Sequence, residues 1–445
     1  MSKVFLGFAL FIGWLLTAPV PGLSVVYVLA VIAGFFLLRQ KSQIPEVPVQ
    51  PSPYLPEVQR AVGRLECAAQ RSDVLNAVRL CGMSGAGNAI RAVPSLIRLE
   101  PTPFGARAYL HGLMGQELAD WQRASGRLAS ALGVKVVRVG EPNPGVFQLD
   151  LRVADPLSRP MTAREVTASA DWSLPLGLDE TGQVRRLAIS NVSGVVLGGL
   201  PGSGKTAWLT SSLASFAACD AVQYLVIDGK GGMDLSAIES RSYRFLNDDM
   251  DLDSVLVALR EVRELVRDRM RNLHHLLGTS NFWNHGPTRE LPLVFVVIDE
   301  CQTFLDPRQL ISKELKMKGA EIHGLVSHLV RKGRSAGVVT ILATQKPTAD
   351  SLPTDIRDNS TLRICFGVQS SYAAAAVLGD EWSADSGASP LGAPVGVGVA
   401  AACNSFFRFR SPYVPEEVVA DYGSKYAHSR EHPAVLFSLA MADGS

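Results

Sequence analysis

Gly199-Leu200-Pro201-Gly202-Ser203-Gly204-Lys205-Thr206 is the stretch on which the fold turns, and it fits the pattern G-x-x-x-x-G-K-[ST]. Glycines in that pattern let consecutive backbone N–H groups turn toward phosphate oxygens, and a helix starting there adds the positive end of its dipole. Ordinary composition produces the string by chance in a chain of this size at a rate of roughly a few per cent or less. The flanks sharpen the reading. The apolar run Val195-Val196-Leu197 precedes the loop as a strand, and Thr206–Ala218 follows it as a helix. Gly199, Leu200, Pro201, Gly202, Ser203, Gly204, Lys205, Thr206 and Ala207 are therefore read as the cradle of a nucleoside triphosphate. Lys205 neutralises charge on the β- and γ-phosphates, and the Thr206 hydroxyl is a ligand for Mg²⁺.

Outward from the loop, strand and helix patterns alternate from about Leu174, as in a parallel sheet covered on both faces. The expected strands are Gly194–Leu197, Gln223–Ile227, Leu293–Ile298, Val338–Leu342 and Leu362–Val368. The continuous apolar run Leu293–Ile298 ends in Asp299-Glu300. A strand buried on both faces delivers such acids to its carboxyl edge, where open parallel sheets bind ligands. Asp299 is placed to hold Mg²⁺, and Glu300 to orient and deprotonate an attacking water. Val338–Leu342 leads into Ala343-Thr344-Gln345, so the Gln345 amide is a candidate sensor between γ-phosphate and water. Asp228 ends a further apolar strand and reads equally as a cap of the following turn. Together these residues describe an ATPase using ATP and Mg²⁺.

The 445 residues leave room for two or three domains. A formal net charge of +1 gives no global basicity, so any grip on a polyanion depends on local patches. The six cysteines show no C-x-x-C pair or metal-ligand spacing, which fits reduced thiols in a cytosolic body. Hydrophobic residues make up 47%, with much of the excess at the N-terminus, where Val4 to Leu38 contains no charge. Pro19-Val20-Pro21-Gly22 breaks that tract into two arms, each shorter than the roughly 20 residues that span a bilayer comfortably. Snorkelling of Lys3, Arg39 and Lys41 absorbs the shortfall, and charge at both outer ends puts both ends in the cytoplasm. A multi-pass hairpin in the cytoplasmic membrane is the expectation, with a cleaved signal peptide as the competing reading. Prolines 45, 48, 51, 53 and 56 then make an extended spacer. Glu57 to about Gly82 reads as helical. Pro94 to about Pro156 reads as a small α/β module, with strands Leu96–Glu100, Val134–Val139 and Val146–Val153 and a helix Gln116–Leu132.

Several stretches now carry a likeness: Leu174-Pro175-Leu176-Gly177, the phosphate loop, Leu225-Val226-Ile227-Asp228-Gly229-Lys230 and Val297-Ile298-Asp299-Glu300. Arg331-Lys332-Gly333-Arg334-Ser335-Ala336-Gly337, Ala343-Thr344-Gln345-Lys346-Pro347 and Arg363-Ile364-Cys365-Phe366 complete it. In this order and spacing, from about Leu174 to Val399, the chain resembles the FtsK/SpoIIIE family of DNA translocases within the FtsK–HerA class. The likeness implies an α/β, RecA-like P-loop motor working as a homo-hexameric ring around double-stranded DNA, with active sites between subunits. Arg331 or Arg334 then acts in trans on a neighbour's nucleotide. Ser371-Tyr372-Ala373 stands where chromosome-segregating members carry Asp-Ser-Arg, too little chain follows Pro412 for an orientation-reading winged helix, and two membrane arms replace four. Such a reduced motor looks most like actinobacterial plasmid and integrative-element transfer proteins, with separate recognition or transfer proteins as further partners. The expected domain map is a hairpin over 1–42, a linker over 43–56, a helical segment and pre-motor domain over 57–160, the motor over 161–411 and a tail over 412–445. The alternative function is a secretion or coupling ATPase moving protein or single-stranded DNA.

Candidate DNA contacts are the stripe Arg260, Arg263, Arg267 and Arg271, beside an apolar helix face of Leu259, Val266, Met270 and Leu273, and the lysines Lys313, Lys316 and Lys318. A salt-bridged exposed helix is the competing reading of the stripe, given Glu261, Glu264 and Asp268. Phosphate contacts carry no sequence information, which suits a motor running along any sequence.

Overall fold

Two separate apolar cores divide the chain, and each follows from a different side-chain period. The computed structural model describes residues 55–82, 92–102, 104–169, 171–231, 234–348, 350–383, 387–402 and 405–443. The expected hairpin and all but the last two residues of the expected linker lie outside the described residues. Among the described residues, no helix is long and apolar enough to cross a membrane.

The first core rests on period-two alternation. Strands β1 (Ser95–Thr102), β2 (Gly105–His111), β3 (Val136–Asn143) and β4 (Val146–Arg152) form an antiparallel sheet in the order β1-β2-β4-β3. Phe147, Leu149 and Leu151 alternate inward from β4. Helices α1 (Leu55–Glu66), α2 (Ala68–Ala77) and α3 (Leu118–Leu132) pack around the same core. Trp121 of α3 stacks on Phe147 with ring centroids 4.7 Å apart. The single helix expected from Glu57 divides at Cys67, and Arg79 turns the chain with φ +64°. β2 is absent from the sequence expectation because Ala106 and Ala108, weak strand formers, fill its inward positions.

The second core surrounds a ten-stranded sheet. Its strands are β5 (Ser173–Asp179), β6 (Val184–Ala188), β7 (Gly194–Gly198), β8 (Val222–Asp228), β9 (Arg244–Leu246), β10 (Leu293–Asp299), β11 (Val338–Thr344), β12 (Leu362–Phe366), β13 (Val397–Ala402) and β14 (Ser405–Arg410). They lie in the order β6-β5-β14-β13-β12-β7-β11-β10-β8-β9. The six from β12 to β9 run parallel, and every residue of β7, β8, β10 and β11 is buried, as two-sided burial of a parallel sheet demands. The other four add an antiparallel wing, which the expected strand list lacks.

Covering helices follow the apolar stripes of α4 (Lys205–Ala214), α5 (Leu252–Leu277), α6 (Gln302–Leu305), α7 (Lys313–Ala336), α8 (Thr354–Asn359) and α9 (Ser371–Leu378). On α5 the buried face differs from expectation. Met270 is 44% exposed, whereas Arg269 is fully buried. The Arg269 guanidinium donates to the Ala336 carbonyl (2.9 Å) and lies 5.8 Å from the Phe437 ring. The stretch from 412, expected as a tail, holds helices α10 (Glu416–Lys425) and α11 (Pro433–Asp443), whose Val419 and Phe437 join the second core.

Glu180, in the β5–β6 turn, joins the two cores. It forms ion pairs with Arg138 of β3 (3.1 Å), Arg152 of β4 (2.9 Å) and Arg408 of β14 (2.7 Å). Burial alone raises its carboxyl, and the three guanidinium groups outweigh that and hold it below the ordinary range. A depressed carboxyl stabilises the fold above its unfolded value, and that contribution drains as pH falls through the folded value. Glu180→Gln is therefore expected to lower stability at neutral pH by about 1–3 kcal/mol and to flatten the acid limb of a denaturant-monitored pH–stability profile. On α7, a Cβ at Gly333 meets the Val338 carbonyl at 2.4 Å, whereas one at Gly324 meets nothing within 4 Å. Gly333→Ala is expected to cost about 1–3 kcal/mol by overpacking, and Gly324→Ala to raise stability by up to about 1 kcal/mol, both read as melting temperatures.

Candidate nucleotide site

Parallel register sets the carboxyl ends of the central strands along one edge. Gly198 of β7 lies opposite Thr344 of β11, Leu342 opposite Ile298 of β10, and Asp299 opposite Asp228 of β8. The phosphate loop, Asp299-Glu300, Thr344-Gln345 and Asp228 thus converge although they are scattered along the sequence.

The loop is held by its neighbours. The Leu200 N–H donates to the Gly367 carbonyl (3.0 Å), and the Gly396 N–H donates to the Ser203 carbonyl (2.8 Å). Gly204 caps α4 with φ +101°, and a Cβ there meets the Gly396 nitrogen at 3.0 Å, so glycine is demanded twice over. α4 then starts at Lys205 itself, with Thr206 and Ala207 half-buried behind it.

Lys205 is 2% exposed, and its Nζ donates to Asp299 Oδ1 (2.5 Å) and Glu300 Oε1 (3.0 Å). Adjacent residues on a strand point to opposite faces, so one lysine touches both only because the chain turns at once. Glu300 has φ +47°, a left-handed conformation uncommon outside glycine that concentrates at functional sites. Burial opposes the charge on Lys205, yet the two carboxylates hold the ammonium above the ordinary lysine range. Burial pushes the Asp299 carboxyl up, with Lys205 pulling against it. Among the described residues, Asp299 Oδ2 is buried with no hydrogen-bond partner.

Asp234 completes the cluster: one carboxylate oxygen from each of Asp234, Asp299 and Glu300 lies within 4.8 Å of the others. Its partner Lys230 (2.8 Å) is held above the ordinary range, first by that hydrogen bond. Carboxylate oxygens gathered around an ammonium, one of them orphaned, are a donor set that fits a hard cation such as Mg²⁺. The second oxygen of Glu300 is also engaged. Oε2 accepts from Gln302 Nε2 (2.5 Å) and from the Gln345 main-chain N–H (3.2 Å), while Gln302 Oε1 accepts from the Thr344 hydroxyl (2.7 Å).

Lys205, Asp299 and Glu300 are therefore brought together as expected from sequence. Gln345 meets Glu300 through its backbone, where the sequence reading expects its side-chain amide. Asp228 caps a turn, accepting the Lys230 N–H (2.9 Å). Arg331 and Arg334 sit exposed on the last turns of α7, where Arg331 Nε donates to the Ser327 carbonyl (3.2 Å); among the described residues no hydrogen bond or ion pair joins them to this cluster. Most of the arginine stripe is salt-bridged: Arg260 grips Glu321 through two bonds (2.7 and 2.8 Å), and Arg263 and Arg267 both pair with Glu264. Arg271 is exposed. Lys318 pairs with Asp253 and Glu314, while Lys313 and Lys316 are exposed on the first turn of α7. Sequence reasoning misses Gln302, Thr344 and Asp234. The only signal for them is a polar residue beside a motif, which many solvated positions share.

Comparison with known proteins adds three findings. A family model described as the actinomycete conjugal transfer protein N-terminal domain matches residues 65–153, which hold the four-stranded sheet with α2 and α3. The DNA translocase FtsK of Vibrio parahaemolyticus is 26% identical over 391 residues, covering 79% of this chain and 36% of the relative; that of Streptococcus agalactiae is 26% identical over 294 residues, covering 61% and 35%. The chain thus spans about a third of the length of the curated relatives it matches. Among solved structures, the pCW3 conjugation coupling protein TcpA, in monomer form with ATPgS, superposes with TM-score 0.53 at 17% identity, covering 85% of this chain and 99% of that one, a likeness of fold. The chain is similar to FtsK translocases over most of its length and to conjugal transfer proteins over residues 65–153.

Removing the buried ammonium leaves two buried carboxylates face to face. Lys205→Ala is expected to cost about 2–4 kcal/mol in denaturant unfolding, and adding Asp299→Asn to it is expected to recover part of that loss. Strict additivity of the two changes contradicts the ion pair.

Proposed function

We propose that this chain is an ATP-hydrolysing motor that moves double-stranded DNA in conjugative transfer, working as a ring of identical subunits. The convergence of Lys205, Asp299 and Glu300 at the phosphate loop carries the reading. The similarity to FtsK translocases and to the conjugal transfer domain supports DNA as cargo. In this reading the apolar arms between Val4 and Leu38 anchor the chain in the cytoplasmic membrane with the motor in the cytoplasm.

The chemistry follows from what each side chain is holding. Lys205 gives up its two carboxylates for the more highly charged β- and γ-phosphates of ATP. That move frees Glu300 Oε1, which then accepts a proton as water attacks the γ-phosphorus and the bond to the ADP oxygen breaks. Thr206 and Asp299, with Asp234 beside them, would hold Mg²⁺, which when bound neutralises phosphate charge. In this reading the exposed Lys313, Lys316 and Arg271 meet the DNA backbone, and Arg331 and Arg334 reach a neighbouring subunit's nucleotide.

Steady-state ATPase assays at low salt test this directly. Duplex DNA is expected to stimulate turnover more than single-stranded DNA or peptide, and Lys205→Ala to abolish it. Stimulation by single-stranded DNA or peptide alone assigns the chain to secretion or coupling instead. Glu300→Gln is expected to keep ATP binding in a filter assay while losing turnover by about 10²–10⁴-fold; turnover at the wild-type rate removes Glu300 as the base.

A further inference from the structure

Gln302 is the residue with the most to explain. It opens the four-residue helix α6, is 8% exposed, and uses both ends of its amide. Its orientation is dictated by chemistry. Glu300 Oε2 can only accept, so the group facing it at 2.5 Å is the Gln302 NH₂. The Thr344 hydroxyl already accepts the Lys346 N–H (3.1 Å), so its own proton goes to Gln302 Oε1 at 2.7 Å. The result is a continuous relay from the loop after β11, through Thr344 and Gln302, to Glu300 and on to Lys205.

We infer that Gln302 is a positioning residue for the general base, set by Thr344. The inference rests on the proposed ATP hydrolysis with Glu300 as base. Among the described residues, Glu300 Oε2 receives two N–H donors, from Gln302 and from the Gln345 backbone, and Oε1 receives only Lys205. Departure of Lys205 to the phosphates therefore frees one particular oxygen while the other stays clamped. A carboxylate held at one oxygen rotates little, so the free oxygen keeps its aim. The left-handed backbone at Glu300 adds to the need for a clamp, because a strained turn relaxes unless its surroundings hold it. Thr344 is itself fully buried, and its carbonyl accepts the Gly199 N–H (3.3 Å) at the root of the phosphate loop, so the clamp and the loop share one strand end.

The test is a double-mutant cycle of Gln302→Met and Thr344→Val in the full-length chain, following ATP turnover across ATP concentrations, fluorescent-nucleotide affinity and thermal melting. Gln302→Met keeps the side-chain length but donates nothing. It is expected to lower kcat roughly ten- to a hundredfold with KM and nucleotide affinity within about twofold. Thr344→Val is expected to give a smaller loss of kcat, and none further in the Gln302→Met background. Wild-type kcat in Gln302→Met, or losses that simply multiply in the double variant, overturns the inference. So does a kcat loss that only tracks a lowered melting temperature. Should Gln302→Met not fold, Thr344→Val against wild type decides, an unchanged kcat counting against the relay. Wild-type protein with no ATPase, or Glu300→Gln turning over normally, instead defeats the proposed function on which the inference stands.

Discussion

A buried ammonium facing two buried carboxylates is the constraint around which the carboxyl edge of the ten-stranded sheet is organised. Each charge of Lys205, Asp299 and Glu300 is expensive to take out of water alone. Together they are tolerable because every one has an opposite charge within about hydrogen-bond reach, and the net excess of negative charge is left for something else to balance. Asp234 and its lysine partner Lys230 enlarge the same field. Such a cluster is bistable by construction: a polyphosphate competes for the ammonium, and a hard cation competes for the carboxylates. The groups that a nucleotide would engage are thus the groups that keep one another quiet without it.

That arrangement needs a rigid frame, and the frame comes from close approach more than from side-chain bulk. At Gly333, α7 lies so near β11 that a Cβ collides with backbone, and the glycine-rich loop lies so near Gly396 that a Cβ at Gly204 would press on its nitrogen. Strand ends from four parallel strands are thereby held in a common edge. The backbone at Glu300 departs from strand geometry at the point where the fold must deliver two acids to one lysine. Strain there is local, and the hydrogen bonds from Gln302 and the Gln345 amide offset it.

The pre-motor module is attached by electrostatics. Its own core is complete, with Trp121 and Phe147 at its centre, and Glu180 gathers three arginines from both cores. Charge pairs fix orientation more sharply than apolar contact does, because they fail when a side chain moves by a few ångströms. A module joined in this way keeps a defined attitude to the ten-stranded sheet.

The sequence by itself determined the parallel sheet, the glycine-rich loop and the acidic pair, because each is encoded locally: a glycine pattern between strand and helix, and a long apolar run ending in Asp299-Glu300. It also carried the resemblance to FtsK-type translocases, since the motifs keep their order and spacing. Only the tertiary structure decided which groups meet. Gln302, Thr344 and Asp234 gain their significance from strand register and from one left-handed residue, neither of which leaves a periodic trace. The strand Gly105–His111 escapes notice because alanines blur its alternation, and Arg269 takes a buried place that periodicity assigns to Met270 because a helix carbonyl and aromatic rings await it there. The arginine stripe is legible as a stripe, but only folding brings Glu321 across to neutralise Arg260. Local patterns state what a segment is; partners far away in sequence settle what its charged groups are for.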